Sequence, residues 1–125
     1  MKALIIACHG SNKIEANDQM RKLTQQIRAF PTNPYEAVSV GFLEFARPSI
    51  GNAIDECVKS GAKSITVIPY FLSAGKHVKQ DIPYLVSMSR KKYPNIPIML
   101  TSHFGLHSEL ARLIVDQTLL ETQDK

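Results

Sequence analysis

Residues 5–12 read IIACHGSN, an apolar run that stops abruptly in a thiol, an imidazole, a glycine and a hydroxyl. With Lys2, Ala3 and Leu4 ahead of it, this run predicts a first strand over Lys2–Cys8 ending at a polar loop. Apolar runs then alternate with helical patterns along the chain. A helix is expected from Glu15 to Phe30, with Ala16, Met20, Leu23, Ile27 and Phe30 on one face and Pro31 and Pro34 as the stop. A second strand follows over Ala37–Leu43. The next helix opens with Pro48 in its first turn, ends before Gly61, and turns Ile50, Ala53, Ile54, Cys57 and Val58 inward.

The third strand, Ser64–Tyr70, leads into a loop over Phe71–Gln80, and Asp81 is placed to cap the third helix. A fourth strand is expected over Ile96–Thr101. The fourth helix runs over Ser108–Glu121, with Leu110, Leu113, Ile114 and Leu120 facing inward. Four strand–helix units in series predict an α/β fold: a four-stranded parallel sheet with helices on both faces and right-handed crossovers. The expected strand order is 2-1-3-4, and residues 1–125 form a single domain.

Composition narrows the function. The 44% hydrophobic and 21% charged fractions are those of an ordinary globular protein, and no unbroken apolar run is long enough for a membrane span. The N-terminal apolar run is shorter than a secretory core and reads as a strand, so the expected location is cytoplasmic. Two cysteines without a Cys-x-x-Cys pair read as small buried residues in a reducing compartment. The formal charge of +4 favours an anionic ligand, but it is scattered, with no dense run of the kind that binds nucleic acid.

In open parallel sheets, ligands bind beyond the carboxyl ends of the strands, at the point where strand order reverses. That rule gathers residues from four loops: His9, Glu44 in GFLEFARPS, His77 in FLSAGKHVKQDIP and His103 in TSHFG. Singly, each has an ordinary reading as a loop residue bonded to backbone or a partner for a helix dipole. A nucleotide loop needs more glycines than the single one in HGSNKIE. A Ser11 nucleophile lacks its G-x-S-x-G elbow, and Ser11 reads as a turn residue. Cys8 points to the opposite face of the strand from His9. Histidines with a carboxylate and few thiolates suit a divalent metal such as Co²⁺, Ni²⁺, Fe²⁺ or Zn²⁺, held in an open set rather than a closed zinc motif.

The stretches IIACHGSN, VGFLEFARPSI and GAKSITVIPYFLSAGKHVKQDIP, with the closing GLHSELARLI helix, resemble the small sirohydrochlorin cobaltochelatases. These are related to sirohydrochlorin ferrochelatases and class II chelatases, and the resemblance covers nearly the whole chain. It implies a chelatase-like half-unit of flavodoxin-like strand order that inserts Co²⁺, Fe²⁺ or Ni²⁺ into sirohydrochlorin or a related tetrapyrrole without a nucleotide. His9 and His77 then hold the metal, and Glu44, helped by burial, takes pyrrole protons. Ser11, Phe42 and Lys76 are the expected contacts to the macrocycle. Phe42 belongs to an apolar wall with Leu43, Tyr70, Phe71 and Leu72; Lys76 belongs with Lys13, Arg47 and Lys79, which meet acidic side groups. Asn12 stands where an arginine often follows HGS. A tetrapyrrole is large for the edge of one such domain, so a homodimer is expected. The alternative is a metal or tetrapyrrole carrier on the same scaffold. A flavodoxin-like regulatory domain would want an acidic pocket that Glu44 alone does not make.

Overall fold

The computed structural model describes residues 1–122. The expected βα alternation is present: β1 (Lys2–Cys8), α1 (Ile14–Arg28), β2 (Ala37–Phe42), α2 (Ile50–Lys59) and β3 (Ser64–Pro69). A π-helical turn over His77–Asp81 then runs directly into α3 (Ile82–Lys92), followed by β4 (Ile98–Leu100), a 3-10 turn over Phe104–Leu106 and α4 (Leu110–Thr122). All strands are parallel and lie in the order β2-β1-β3-β4. The loops that follow β1 and β3, carrying His9 and His77, therefore leave the sheet from adjacent strands.

The near-continuous apolar character of β1 follows from burial on both sides. Ala3, Ile5 and Ala7 face α2 and α3 and pack with Ile50, Ile54, Val67 and Val86 in the main core. Cys8, Val40 and Phe42 point to the opposite face, where Met20 of α1 covers them. Two helices thus pack on one face of the sheet and α1 on the other.

α2 forms as its sequence dictates. The Ser49 side chain accepts a hydrogen bond from the Asn52 backbone at 3.1 Å, and Ile50, Ala53, Ile54 and Cys57 are buried. Pro48 lies just ahead of this cap rather than in the first turn. Gly61 closes the helix at φ +96°, a left-handed conformation open to glycine at little cost.

Elsewhere the chain departs from its periodicity. In α1, Met20, Leu23 and Ile27 are half-buried, but Ala16 and Phe30 are exposed, because the helix ends at Arg28 and is rotated to bury Asn17 and Thr24. Asp81 does not cap α3: its backbone is already helical, and its carboxylate is engaged by a side chain instead. β4 is shorter than expected. The largest departure is α4, in which no residue is buried, so the predicted inner face of Leu110, Leu113, Ile114 and Leu120 meets no core of its own chain.

Candidate metal and substrate site

His9 leaves the end of β1 and Glu44 leaves the end of β2, and the pairing of the two strands continues into their loops. The Leu43 N–H donates to the Cys8 carbonyl and the Glu44 N–H to the His9 carbonyl, both at 2.9 Å. Gly10 makes this approach possible. It sits at φ +91°, and a Cβ there would overlap the Glu44 carbonyl. Between the side chains, His9 Nε2 lies 3.3 Å from Glu44 Oε2.

His77 opens the π-helical turn. In that wider turn its Nδ1 lies 2.7 Å from Asp81 Oδ2, and π turns recur at functional sites. The His9 and His77 rings are 4.8 Å apart between centroids. His9 Nδ1 is likewise tied back, 2.9 Å from the Gly10 carbonyl. When Nδ1–H donates to an oxygen, neutral imidazole carries its free lone pair on Nε2, the state in which it ligates metal. Both rings are held in this way. In that tautomer His9 Nε2 and the Glu44 carboxylate face each other as two acceptors, an arrangement satisfied by a proton or a cation between them.

The separation suits one ion. Imidazoles bound at about 2.1 Å to a common metal place their ring centroids roughly 4.6 Å apart at a right angle and about 5.3 Å apart in a tetrahedral set. The site is open: the His9 and His77 side chains are 41% and 40% exposed. Among the described residues no three His, Cys, Asp or Glu side chains close on one point. Glu44 is not buried as expected, its side chain being 53% exposed.

Of the three imidazoles expected at this edge, two meet. His103 instead lines a shallow cavity with Ile68, Ser102 and His107. Phe42 is 1% exposed in the core beneath the Arg21 guanidinium, so it presents no ring to a ligand. The aromatic residue at the edge is its neighbour Phe45, exposed, at φ +65°, with its ring 6.1 Å from that of His9. Leu72 is exposed on the His77 loop. Ser11 holds the turn together: its hydroxyl accepts from the Lys13 N–H, and its backbone is clamped from both sides by the buried Asn17 amide. Lys76, Lys13, Arg47 and Lys79 are exposed and, among the described residues, unpaired with carboxylates.

Burial pushes the Cys8 thiol up to about 12, and its sulfur contacts the Gly41 carbonyl, so it is no nucleophile. Sequence reasoning missed Asp81 as the partner of His77 and Phe45 as the exposed ring. The four-residue spacing in HVKQD was the available signal for the first.

The model of the family described as CbiX matches residues 3–119. The chain is 32% identical over 114 residues to the chloroplastic sirohydrochlorin ferrochelatase of Arabidopsis thaliana, covering 91% of this chain and 50% of that protein. It is 34% identical over 88 residues to the sirohydrochlorin cobaltochelatase of Methanocaldococcus jannaschii, covering 70% and 60%. The chain thus spans about half the length of the curated relatives it matches. Among solved structures, a cobalamin (vitamin B12) biosynthesis CbiX protein from Marinobacter aquaeolei VT8 superposes with a TM-score of 0.83 over the full length of both chains, at 23% identity. The sirohydrochlorin chelatase SirB from Bacillus subtilis subspecies spizizenii, in complex with cobalt, gives 0.82 at 27% identity, covering 94% of this chain and 49% of that one.

Proposed function

This chain belongs to the CbiX family, and on that premise we propose that it inserts a divalent metal, Co²⁺ or Fe²⁺ and also Ni²⁺, into sirohydrochlorin or a closely related acidic tetrapyrrole. The observation that carries the reading is the pair of imidazoles, His9 and His77, each tied back through Nδ1 and facing one another 4.8 Å apart beside Glu44. The metal is a substrate: it enters with its water, is held by two labile neutral nitrogen ligands, and leaves in the macrocycle. Two pyrrole protons leave as it binds. Glu44 receives them one after the other and, being half-exposed, releases them to water. Once the metal has gone, a proton shared between Glu44 and His9 Nε2 relieves the two facing acceptors.

Phe45 and Leu72 supply apolar surface for the ring, and Lys13, Arg47, Lys76 and Lys79 supply cations for its carboxylates. No nucleotide is needed, since the single glycine of the first loop builds no phosphate cradle. Two buried, free cysteines fit a reducing cytoplasm. Two copies of the chain, related by a two-fold axis, form a cleft large enough for the substrate.

The test is the visible spectrum of anaerobic sirohydrochlorin mixed with Co²⁺, Fe²⁺ or Ni²⁺, with and without the protein. Metallation faster than the protein-free control supports the chelatase. A spectral shift on binding without acceleration supports the carrier instead.

A further inference from the structure

Asn17 stands in the first turn of α1, 7% exposed, where an amide is costly to bury unless both of its ends are bonded. Both ends go to Ser11: Oδ1 accepts from the Ser11 N–H at 3.0 Å, and Nδ2 donates to the Ser11 carbonyl at 2.8 Å. The Asn17 side chain thus serves the loop after β1 rather than the helix, whose own bond runs from the Asn17 N–H to the Lys13 carbonyl. The Ser11 N–H belongs to the same peptide group as the Gly10 carbonyl, and in a trans peptide the two point in opposite directions. On the far side, that carbonyl lies 2.9 Å from His9 Nδ1. One rigid plane therefore has the Asn17 amide at one end and the His9 ring at the other.

Two oxygens compete for the single proton of a neutral His9 ring: the Gly10 carbonyl at Nδ1, and Glu44 Oε2, 3.3 Å from Nε2. The stronger contact sets the tautomer. A proton on Nε2 would leave that nitrogen no lone pair for a metal. Gly10, at φ +91°, gives the peptide plane freedom to turn, so the carbonyl stays in place only if the plane is held. We infer that Asn17 is a positioning residue for His9. By holding the Gly10–Ser11 peptide it keeps the carbonyl against Nδ1, fixes the Nδ1–H tautomer and leaves Nε2 open to the metal. Hydrogen bonds in series polarise one another, so the Asn17 contact also makes the Gly10 carbonyl a stronger acceptor. Asp81 does the same for His77 directly. The inference rests on the reading of His9 as a metal ligand and adds the group that prepares it.

The test is the nitrogen NMR spectrum of the histidine rings in the metal-free chain at about pH 9, where an ordinary imidazole is neutral. Wild type, Asn17→Ala and Asn17→Asp are compared, with the His9 signals identified by their loss in His9→Ala. Asn17→Asp keeps an oxygen for the Ser11 N–H and removes only the donor to the Ser11 carbonyl. The expected result is a protonated His9 Nδ1 in wild type and Asn17→Asp, its proton moved to Nε2 in Asn17→Ala, and His77 unchanged in all three. Co²⁺ affinity, by calorimetric titration, falls about 10–100-fold in Asn17→Ala alone. A His9 Nδ1–H that persists in Asn17→Ala overturns the relay, as does its loss in both variants or a Co²⁺ affinity equal in all three. Should alanine unfold the chain, seen by circular dichroism, an unprotonated Nδ1 in wild type or Asn17→Asp overturns it. Failure of the chelatase reading looks different: the tautomers are as expected, and metallation is not accelerated.

Discussion

His77 Nδ1 and Asp81 Oδ2 lie 2.7 Å apart across a single π-helical turn. The contact turns an otherwise mobile imidazole into an oriented ligand. Orienting partners of this kind are typically worth about 10–100-fold in metal affinity. Asp81→Ala is expected to weaken Co²⁺ binding by that order, measured by calorimetric titration, whereas Asp81→Asn retains an acceptor and much of the affinity. Equal loss in both variants would show that the charge of Asp81, rather than its hydrogen bond, is what matters.

Gly10 is where the His9 and Glu44 loops touch. Alanine there takes a left-handed backbone and drives its Cβ into the Glu44 carbonyl. Gly10→Ala should cost about 2–3 kcal/mol of stability, seen as a lower urea midpoint at unchanged slope, together with loss of metallation. A variant as stable as the wild type would mean the two loops separate at no cost.

The fold was legible because each strand is a short apolar run and each helix has its own period, so the order β2-β1-β3-β4 follows from parallel βα units. The edge residues His9, Glu44 and His77 were legible by the same topology. His103 follows β4 as expected but lines a separate cavity, because a loop's exit point does not fix where its side chain lies. Phe42 was misread because, as the last residue of β2, it shares a buried face with Val40 and Cys8, while the chain turns outward only at Phe45. The stripe on α4 was read correctly as apolar. What period alone does not reveal is whether its own chain buries it.

Cys8 provides an independent check on the core. With burial pushing its thiol up to about 12, the thiolate is scarce at neutral pH. Burial likewise raises the Cys57 thiol. Alkylation of Cys8 at about pH 8 should be on the order of 1,000-fold slower in the folded protein than for a free cysteine, and fast in denaturant. Mass spectrometry of the labelled chain reads this directly, and prompt labelling of Cys8 without denaturant would contradict it.

Asp55 links α2 to the end of α3. The Tyr93 hydroxyl donates to its Oδ1 at 2.6 Å and Lys92 Nζ at 3.1 Å. The Tyr93 hydrogen bond, followed by that from Lys92, holds the Asp55 carboxyl below its ordinary value of 3.8. A depressed folded-state value gives stability that is present above the unfolded value and lost as pH falls through the folded one. Thermal melts below about pH 4 should therefore fall more steeply for the wild type than for Asp55→Asn. Parallel acid profiles would show that the contact contributes nothing.

The central claim is that His9 and His77 act together on one metal ion. The most direct measurement is the initial rate of Co²⁺ insertion into anaerobic sirohydrochlorin by wild type, His9→Ala, His77→Ala and the double variant, with folding verified by circular dichroism. The predicted result is acceleration by the wild type, a loss of at least roughly 100-fold in either single variant, and little further loss in the double, as for groups that act as a unit. Wild-type rates in either single variant, or losses that multiply in the double, would contradict a shared ion.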